Sequence, residues 1–340
     1  MPVKSREIRL RERPVGVPSE DQFELAQVDV ADPQEGEFLV RNIWMSVDPY
    51  MRGRMTERRS YIAPFVPGKV LEGGAIGQVV ASRNAKYPVG TYVNSMLGWR
   101  EFYLATGRGV ERIDPTVAPI QAYLGPLGAP GLTAYVGLLK VAALKPGETV
   151  FVSGAAGAVG SVVCQIAKAK GCRVIGSAGS HEKLSWLRGE AGVDYAFNYK
   201  TAPDLSKELS QGAPDGIDVY FENVGGAQLE VALLHMRDFG RVAICGWISQ
   251  YNATSPEPGP STLALAIPRR LRLEGFIVTD HLDQRPNFFA DMKEWIAAGK
   301  LRWHETVFEG LPNAPKAFIG LFTGQNIGKM LVRIGPDPAV

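Results

Sequence analysis

A glycine-rich turn between an apolar strand and a helix constrains the fold of this chain more than any other feature. The turn is Ser153–Gly160, with the sequence SGAAGAVG, and it overlaps the end of the apolar run Thr149–Ser153. In such a turn Gly157 lets a pyrophosphate approach the backbone, Gly160 lets the helix pack against the sheet, and the helix amino end offers free N–H groups. Ala155 stands where the G-x-G-x-x-G pattern has its first glycine. A tight strand-to-helix turn without a ligand therefore remains the alternative.

The segments around this turn predict a parallel sheet. From about residue 130, short apolar runs alternate with segments of helical periodicity. Strands are predicted at Thr149–Ser153, Arg173–Ser177, Tyr195–Asn198, Ile217–Glu222, Gly240–Gly246 and Leu273–Val278. Helices are predicted at about 158–170, 181–190, 202–210, 226–236 and Phe288–Ala298. Because this alternation is typical of βαβ units, we expect an α/β fold with a Rossmann-type sheet.

The regions on either side of these units have a different pattern. Before residue 120, runs rich in β-branched, aromatic and aliphatic residues are separated by turn residues, which predicts strands at Phe23–Val30, Glu37–Met45, Ala75–Ala81 and Thr91–Leu97. Prolines and glycines interrupt the uncharged stretch 115–139, which we expect to be a loop rather than a helix. The tail predicts a strand at Glu305–Glu309, a helix at Asn313–Phe322 and a strand at Gly328–Ile334. We therefore expect the α/β unit to be inserted between two parts of a β-rich domain.

Length, charge and cysteine content limit the class of protein and its partners. A chain of 340 residues is long enough for about two domains. Its 37 basic and 35 acidic side chains leave a net charge of +2 without a dense basic run, so neither nucleic acid nor a membrane is an expected partner. Three cysteines are too few for a disulfide framework, and the first residues have no apolar signal-peptide core. These features indicate a cytoplasmic protein.

The second predicted strand indicates which dinucleotide the turn would hold. NAD sites usually place an acidic residue about 20 residues after the glycines. No Asp or Glu occurs from Ser161 to His181; the strand ends in Gly176–Ser180, and Lys183 follows. Small residues beside a cation accommodate a 2′-phosphate that a carboxylate would repel, so NADP(H) is favoured over NAD(H). A solvated helix charge is the alternative interpretation of Lys183.

Runs of residues along nearly the whole chain resemble one enzyme family. They are Ser46–Arg52, Gly131–Tyr135, Lys145–Val150, Ala155–Gly160, Phe197–Lys200, Glu222–Gly226, Ile244–Gly246, Ile248–Asn252 and Asn326–Lys329. With these runs the chain resembles the zinc-independent, NADPH-dependent alkenal/one oxidoreductases of the medium-chain dehydrogenase/reductase superfamily, which include prostaglandin reductases (leukotriene B4 12-hydroxydehydrogenases) and curcumin reductases. The resemblance implies a Rossmann NADP-binding domain at 128–302, inserted in a β-rich GroES-like catalytic domain made of 1–127 and 303–340.

The resemblance also implies an activity, the NADPH-dependent reduction of the C=C bond of α,β-unsaturated ketones and aldehydes by hydride transfer to the β-carbon. It implies cofactor contacts by Gly157, Ala158, Val159, Gly160, Lys183, Tyr199, Asn223, Cys245, Gly246, Tyr251, Phe276, Ile277, Val278 and Asn326. Tyr251 and Tyr50 would lie near the substrate and are the catalytic candidates. A quinone reductase of the same superfamily is the alternative function, and a non-catalytic NADPH-binding protein is a third. The family also implies a homodimer, formed through the edge of the α/β sheet.

Two departures from related patterns bear on the chemistry. Several family members carry a tyrosine that is proposed to act at the substrate carbonyl, and Pro268 occupies the matching position, which leaves the proton donor open. The run Gly68–Gly73 stands where alcohol dehydrogenases have a Gly-His-Glu zinc-ligand motif, and none of the four histidines lies in the first 180 residues. We therefore expect no metal. Cys245 is expected to be a small core residue rather than a nucleophile.

Overall fold

The computed structural model describes residues 2–337, which form two compact units. One unit comprises the residues up to Leu124 and those from Glu305 onward, and the other is Gly125–His304. The strands are β1 (Val3–Leu10), β2 (Phe23–Val30), β3 (Phe38–Ser46), β4 (Ala75–Ser82), β5 (Tyr92–Ser95), β6 (Phe102–Ala105), β7 (Val110–Arg112), β8 (Thr149–Val152), β9 (Arg173–Ala178), β10 (Tyr195–Asn198), β11 (Ile217–Glu222), β12 (Met236–Ile244), β13 (Arg272–Gly275), β14 (Glu305–Glu309) and β15 (Lys329–Arg333).

The helices connect these strands and cover their faces. They are α1 (Tyr50–Arg54), α2 (Ala129–Tyr135), α3 (Gly160–Ala169), α4 (His181–Gly189), α5 (Leu205–Gly212), α6 (Gly226–His235), α7 (Arg285–Ala297) and α8 (Ala314–Thr323). Within residues 2–337, no helix combines the length and the apolar character that crossing a membrane requires.

The unit Gly125–His304 contains a six-stranded sheet in the order β10-β9-β8-β11-β12-β13. Every pair of neighbouring strands in it is parallel. This is the doubly wound order in which ligands bind beyond the carboxyl ends of the strands. Val150, Phe151 and Val152 of the central strand β8 are buried, as expected for a strand covered on both faces. The predicted fold class, an α/β protein with a Rossmann-type sheet and a separate β-rich part, is confirmed.

The other unit is β-rich. Its larger sheet has the order β14-β15-β3-β4-β5-β7, with β6 also paired to β3, and β1 and β2 form a separate antiparallel pair. One core of this unit includes Trp99, whose ring stacks on Phe23 at 6.1 Å between centroids and meets the edge of Phe318 at 6.3 Å. These contacts join residues from both ends of the chain in one hydrophobic core, which holds α1 and the start of β15 in place.

The stretch 115–139 corrects one prediction, because it contains a helix where a loop was expected. Pro130 lies in the first turn of α2, where a missing N–H breaks no helical hydrogen bond. A Cβ atom on Gly131 would lie 1.8 Å from the carbonyl oxygen of Pro126, so the glycine allows α2 to pack against the preceding chain. The helix continues as a π-helical segment, Val136–Val141. The residues taken as helix breakers therefore serve the first turn of the helix and its packing.

Candidate active site

The glycine-rich turn joins β8 to α3 and folds tightly on its own backbone. A Cβ atom on Gly160 would lie 2.5 Å from the carbonyl oxygen of Gly154, so a side chain there would force the turn open. Gly157 donates its N–H to the same carbonyl oxygen at 3.0 Å. Gly157, Ala158 and Val159 are half-buried at the amino end of α3, where the helix carries partial positive charge. The turn thus has the space and the polarity that a pyrophosphate requires.

Basic and hydroxyl groups gather just beyond β9. A Cβ atom on Gly179 would lie 2.9 Å from Cε of Lys200 and 3.1 Å from the hydroxyl oxygen of Tyr199, so both side chains lie against this glycine. Lys183 is in the first turn of α4. Burial, and next the positive charge of Lys200, lower the pKa of Lys183. Two ammonium groups therefore lie close enough to interact, which is the arrangement that a phosphate dianion stabilises.

Tyr199 and Lys200 complete this basic site. Burial raises the pKa of Tyr199, so its hydroxyl stays protonated and can donate to a phosphate oxygen. Lys200 is an addition to the predicted residues. The sequence feature that could have identified Lys200 is its position directly after Tyr199 in the run Phe197–Lys200.

Asn223 connects the end of β11 to the glycine-rich turn. Its Nδ2 donates to the carbonyl oxygen of Ser153 at 2.7 Å, and its backbone N–H donates to Oγ of Ser153 at 2.9 Å. The hydroxyl of Ser153 donates in turn to Glu222 at 2.7 Å. These bonds hold the ends of β8 and β11 together. The amide oxygen of Asn223 keeps its capacity to accept a further hydrogen bond.

A cleft of about 410 Å³ opens beyond the carboxyl ends of β12 and β13. It is lined by five of the predicted residues, namely Cys245, Gly246, Tyr251, Phe276 and Ile277. Trp247, which lies within the predicted stretch Cys245–Tyr251, also lines it, and Asp280 is an addition to the predicted set. Val278, which follows Ile277 in the chain, is not among the lining residues.

Packing fixes the position of Phe276 in this cleft. A Cβ atom on Gly137 would lie 2.4 Å from Cζ of Phe276, so the ring fits against a glycine of the π-helical segment. Phe276 also meets the ring of Phe221 at 6.2 Å between centroids and an interplanar angle of 79°. This edge-to-face contact connects the cleft wall to the buried strand β11.

Tyr251 places a neutral hydroxyl group in the cleft. Its oxygen accepts the backbone N–H of Trp247 at 3.2 Å, which leaves its own O–H able to donate to another group. Burial raises the pKa of Tyr251, so this hydroxyl stays protonated at neutral pH. Nε1 of Trp247 is buried and has no hydrogen-bond partner within the described part of the chain. This atom lies against Gly225, where an added Cβ atom would be 2.5 Å from it.

Cys245 contributes a protonated thiol to the cleft. Burial, and next the negative charge of Glu222, raise the pKa of Cys245 to about 12. A thiol is nucleophilic only as the thiolate, so this environment favours a packing role over a nucleophilic one. Among residues 2–337, no three or more His, Cys, Asp or Glu side chains form a group that could hold a metal ion.

In the β-rich unit, Tyr50 and Asn326 lie close in sequence to the two members of an ion pair. Tyr50 is the first residue of α1, and burial, followed by the charge of Asp48, raises the pKa of its hydroxyl. Asp48 pairs with Lys329 at 2.9 Å. Asn326 lies three residues before this lysine and donates to the carbonyl oxygen of Gly328 at 2.8 Å. The segments that carry the two predicted site residues of this unit are thus joined through Lys329.

Pro268 lies on an exposed turn before β13. Arg270 donates a hydrogen bond to its carbonyl oxygen. Proline has no side-chain proton to give. A proton donor for this chain must therefore lie elsewhere.

Comparisons with known proteins show related oxidoreductases along nearly the whole chain. A family model described as the N-terminal domain of oxidoreductase matches residues 6–113, and one described as zinc-binding dehydrogenase matches residues 158–298. Prostaglandin reductase 1 of Rattus norvegicus is 43% identical over 97% of this chain and 99% of its own length. The NADP(+)-dependent 2-alkenal reductase of Nicotiana tabacum is 42% identical over 98% of this chain and 99% of its own length.

A solved structure extends the likeness to the backbone. CurA of Vibrio vulnificus, crystallised in complex with NADPH, is 41% identical and has a TM-score of 0.93 over 98% of this chain and 100% of its own. Similarity of this extent over whole chains includes both units and the glycine-rich turn. The chain therefore belongs to the medium-chain dehydrogenase/reductase superfamily, in its branch of NADPH-dependent alkenal/one oxidoreductases.

Proposed function

We propose that the protein reduces the carbon–carbon double bond of α,β-unsaturated ketones and aldehydes with NADPH. The observation that carries the proposal is the cleft beyond β12 and β13, in which Tyr251 presents a neutral hydroxyl beside the walls formed by Cys245 and Phe276. The cleft lies beyond the carboxyl ends of the strands of the parallel sheet. The glycine-rich turn and the basic site formed by Lys183 and Lys200 belong to the same sheet.

The residues present fit NADP(H). Gly157, Ala158, Val159 and Gly160 would take the pyrophosphate at the amino end of α3. Lys183, Lys200 and Tyr199 would hold the 2′-phosphate, since Lys200 and Tyr199 lie against Gly179 and the charge of Lys200 acts on Lys183. The rest of the cofactor would be contacted by Asn223, Cys245, Gly246, Phe276, Ile277, Val278 and Asn326. Bound NADPH supplies the hydride.

The side chains must supply orientation and protons. When the β-carbon accepts a hydride, negative charge develops on the carbonyl oxygen, and a neutral hydroxyl stabilises that charge by donating to it. Tyr251 has a free O–H for this role, and Tyr50 is the second candidate. The α-carbon then takes a proton from a tyrosine or from water. The raised pKa of Tyr251 keeps its proton in place until the substrate requires it.

We also propose a role for each domain, a homodimeric assembly and a cytoplasmic location. Residues 128–302 would act as the NADP-binding domain, and 1–127 with 303–340 as the GroES-like catalytic domain. A homodimer would form through the edge strand β13, near which Leu263 and Ile267 are exposed. We place the protein in the cytoplasm, as its cysteine content suggests.

Turnover with paired substrates tests the proposal. Purified protein should oxidise NADPH with 3-nonen-2-one, and NADH should be a much poorer donor. Oxidation of NADPH with quinones but not with enones would replace the proposal with a quinone reductase. Tight NADPH binding without turnover of either substrate class would instead indicate a non-catalytic binding protein.

A further inference from the structure

Glu222 is a fully buried carboxylate at the end of β11. Its Oε1 accepts hydrogen bonds from the hydroxyl of Ser153 at 2.7 Å, the N–H of Val224 at 2.5 Å and the N–H of Gly225 at 2.9 Å. Its Oε2 accepts from the hydroxyl of Tyr220 at 2.5 Å. The proposed function gives this carboxylate no role.

The hydrogen bonds indicate that Glu222 carries a negative charge. Hydrogen bonds donated to a carboxyl group favour its ionised form, and the two backbone N–H groups at Oε1 can only donate. Burial and the charge of Glu222 raise the pKa of Tyr220 well above its usual value, so the phenol keeps its proton for this bond. All four donors are neutral groups, so they stabilise the charge without cancelling it.

Glu222 also lies next to the wall of the cleft. Its backbone carbonyl oxygen accepts the N–H of Cys245 at 2.9 Å and the N–H of Gly246 at 3.1 Å, and both of these residues line the cleft. The charge of Glu222 contributes to the raised pKa of the Cys245 thiol, so its field reaches a lining side chain. In a buried site such a field is weakly screened by solvent.

We propose that the Glu222 carboxylate tunes the cofactor electrostatically, favouring oxidised NADP⁺ over reduced NADPH in the cleft. Loss of a hydride changes the nicotinamide ring from neutral to positively charged. A fixed negative charge nearby stabilises the positive product and so promotes hydride release. The proposal rests on the proposed function, because it requires the nicotinamide to bind in this cleft.

The test compares the dissociation constants of NADP⁺ and NADPH, measured by calorimetry, in the wild type and three variants. In Glu222→Gln the amide oxygen keeps the acceptor contacts of Oε1, and the amide nitrogen donates to the hydroxyl oxygen of Tyr220, so the charge is lost and the geometry kept. Glu222→Asp keeps the charge and changes the geometry. Tyr220→Phe keeps the charge and removes one donor.

We expect Glu222→Gln to weaken NADP⁺ binding about tenfold and to leave NADPH binding within about twofold. In Glu222→Asp and Tyr220→Phe the ratio of the two constants should stay within about twofold of the wild type. An unchanged ratio in Glu222→Gln would overturn the proposal, as would a tenfold change in either charge-conserving variant. If the wild type binds neither NADP⁺ nor NADPH, the proposed function is overturned as well. If the wild type binds both and Glu222→Gln has the same ratio of the two dissociation constants, only the role of Glu222 is removed.

Discussion

The ammonium group of Lys329 lies 2.9 Å from Oδ1 of Asp48 and 2.9 Å from the carbonyl oxygen of Val47, with 4% of the lysine side chain exposed. A lysine is rarely buried so completely unless it is paired. The second oxygen of Asp48 accepts the hydroxyl of Ser46. This pair joins the start of β15 to the turn that leads into α1 and Tyr50.

Lys329→Met should therefore destabilise the protein far more than the loss of a surface pair. Without the ammonium group, the carboxylate of Asp48 remains charged and poorly solvated. Because Asp48 retains 20% exposure, we expect the free energy of unfolding to fall by about 2–3 kcal/mol. The matched control is Lys4→Met, which breaks the exposed Lys4–Asp29 pair and should cost less than about 1 kcal/mol. Urea unfolding at pH 7 measures both, and equal effects would contradict the interpretation of the buried pair.

Lys200→Met should reduce the preference for NADPH over NADH. The ammonium of Lys200 lies at Gly179 with Tyr199, where a 2′-phosphate would bind, so its loss should weaken NADPH binding about tenfold and leave NADH unaffected. Lys183→Ala should act in the same direction. Lys207→Met, which removes an exposed lysine of α5, is the control and should change neither constant. Calorimetric titration measures the dissociation constants of NADPH and NADH. An equal weakening of both in Lys200→Met would argue against a 2′-phosphate site.

The affinity for NADPH should also decline at alkaline pH. Lys183 attracts phosphate only as a cation, and burial together with the charge of Lys200 lowers its pKa. Its contribution is therefore present below this lowered pKa and is lost as the pH rises through it, at a lower pH than for an ordinary lysine. In Lys200→Met the decline should move to higher pH, because the repelling charge is gone. Dissociation constants measured from pH 7 to 10 in both proteins would show the shift, and superimposable curves would speak against the coupling.

Tyr251→Phe should lower kcat and leave NADPH binding within about twofold. The hydroxyl of Tyr251 has a free proton to stabilise the developing charge, and the loss of such a donor costs about 100-fold. Because burial raises the pKa of Tyr251, the wild-type kcat should show no tyrosine titration between pH 6 and 9. Tyr195→Phe is the control, since that hydroxyl bonds to Glu208 on α5. A kcat that falls equally in both variants would remove Tyr251 from the reaction.

The elements with the clearest sequence signals were predictable. The structure has strands at Tyr195–Asn198, Ile217–Glu222 and Glu305–Glu309 with the predicted bounds, because apolar periodicity and turn residues agree there. The strand predicted at Leu273–Val278 is shorter, ending at Gly275, since the chain then turns into the cleft wall.

Other features depend on tertiary contacts that the sequence does not display. The strand β1 carries four charged residues without a regular alternation, Lys4, Arg6, Glu7 and Arg9, and only Glu7 of these is buried in the folded protein. Lys200 belongs to the basic site only because the end of β10 lies beside Gly179. The carboxylate of Glu222 is buried because four neutral donors converge on it, and three of those donors belong to residues within three positions of it.

Isotope transfer is the decisive test of enone reduction by this protein. The protein is supplied with 3-nonen-2-one and with NADPH deuterated at the transferable position of nicotinamide C4, and the product is analysed by mass spectrometry and NMR. Hydride transfer to the β-carbon should yield 2-nonanone with one deuterium at its own C4, the former β-carbon, and a proton from water or a side chain at C3. Deuterium at the carbonyl carbon, with formation of the unsaturated alcohol, would contradict it, as would the absence of any transfer to the enone.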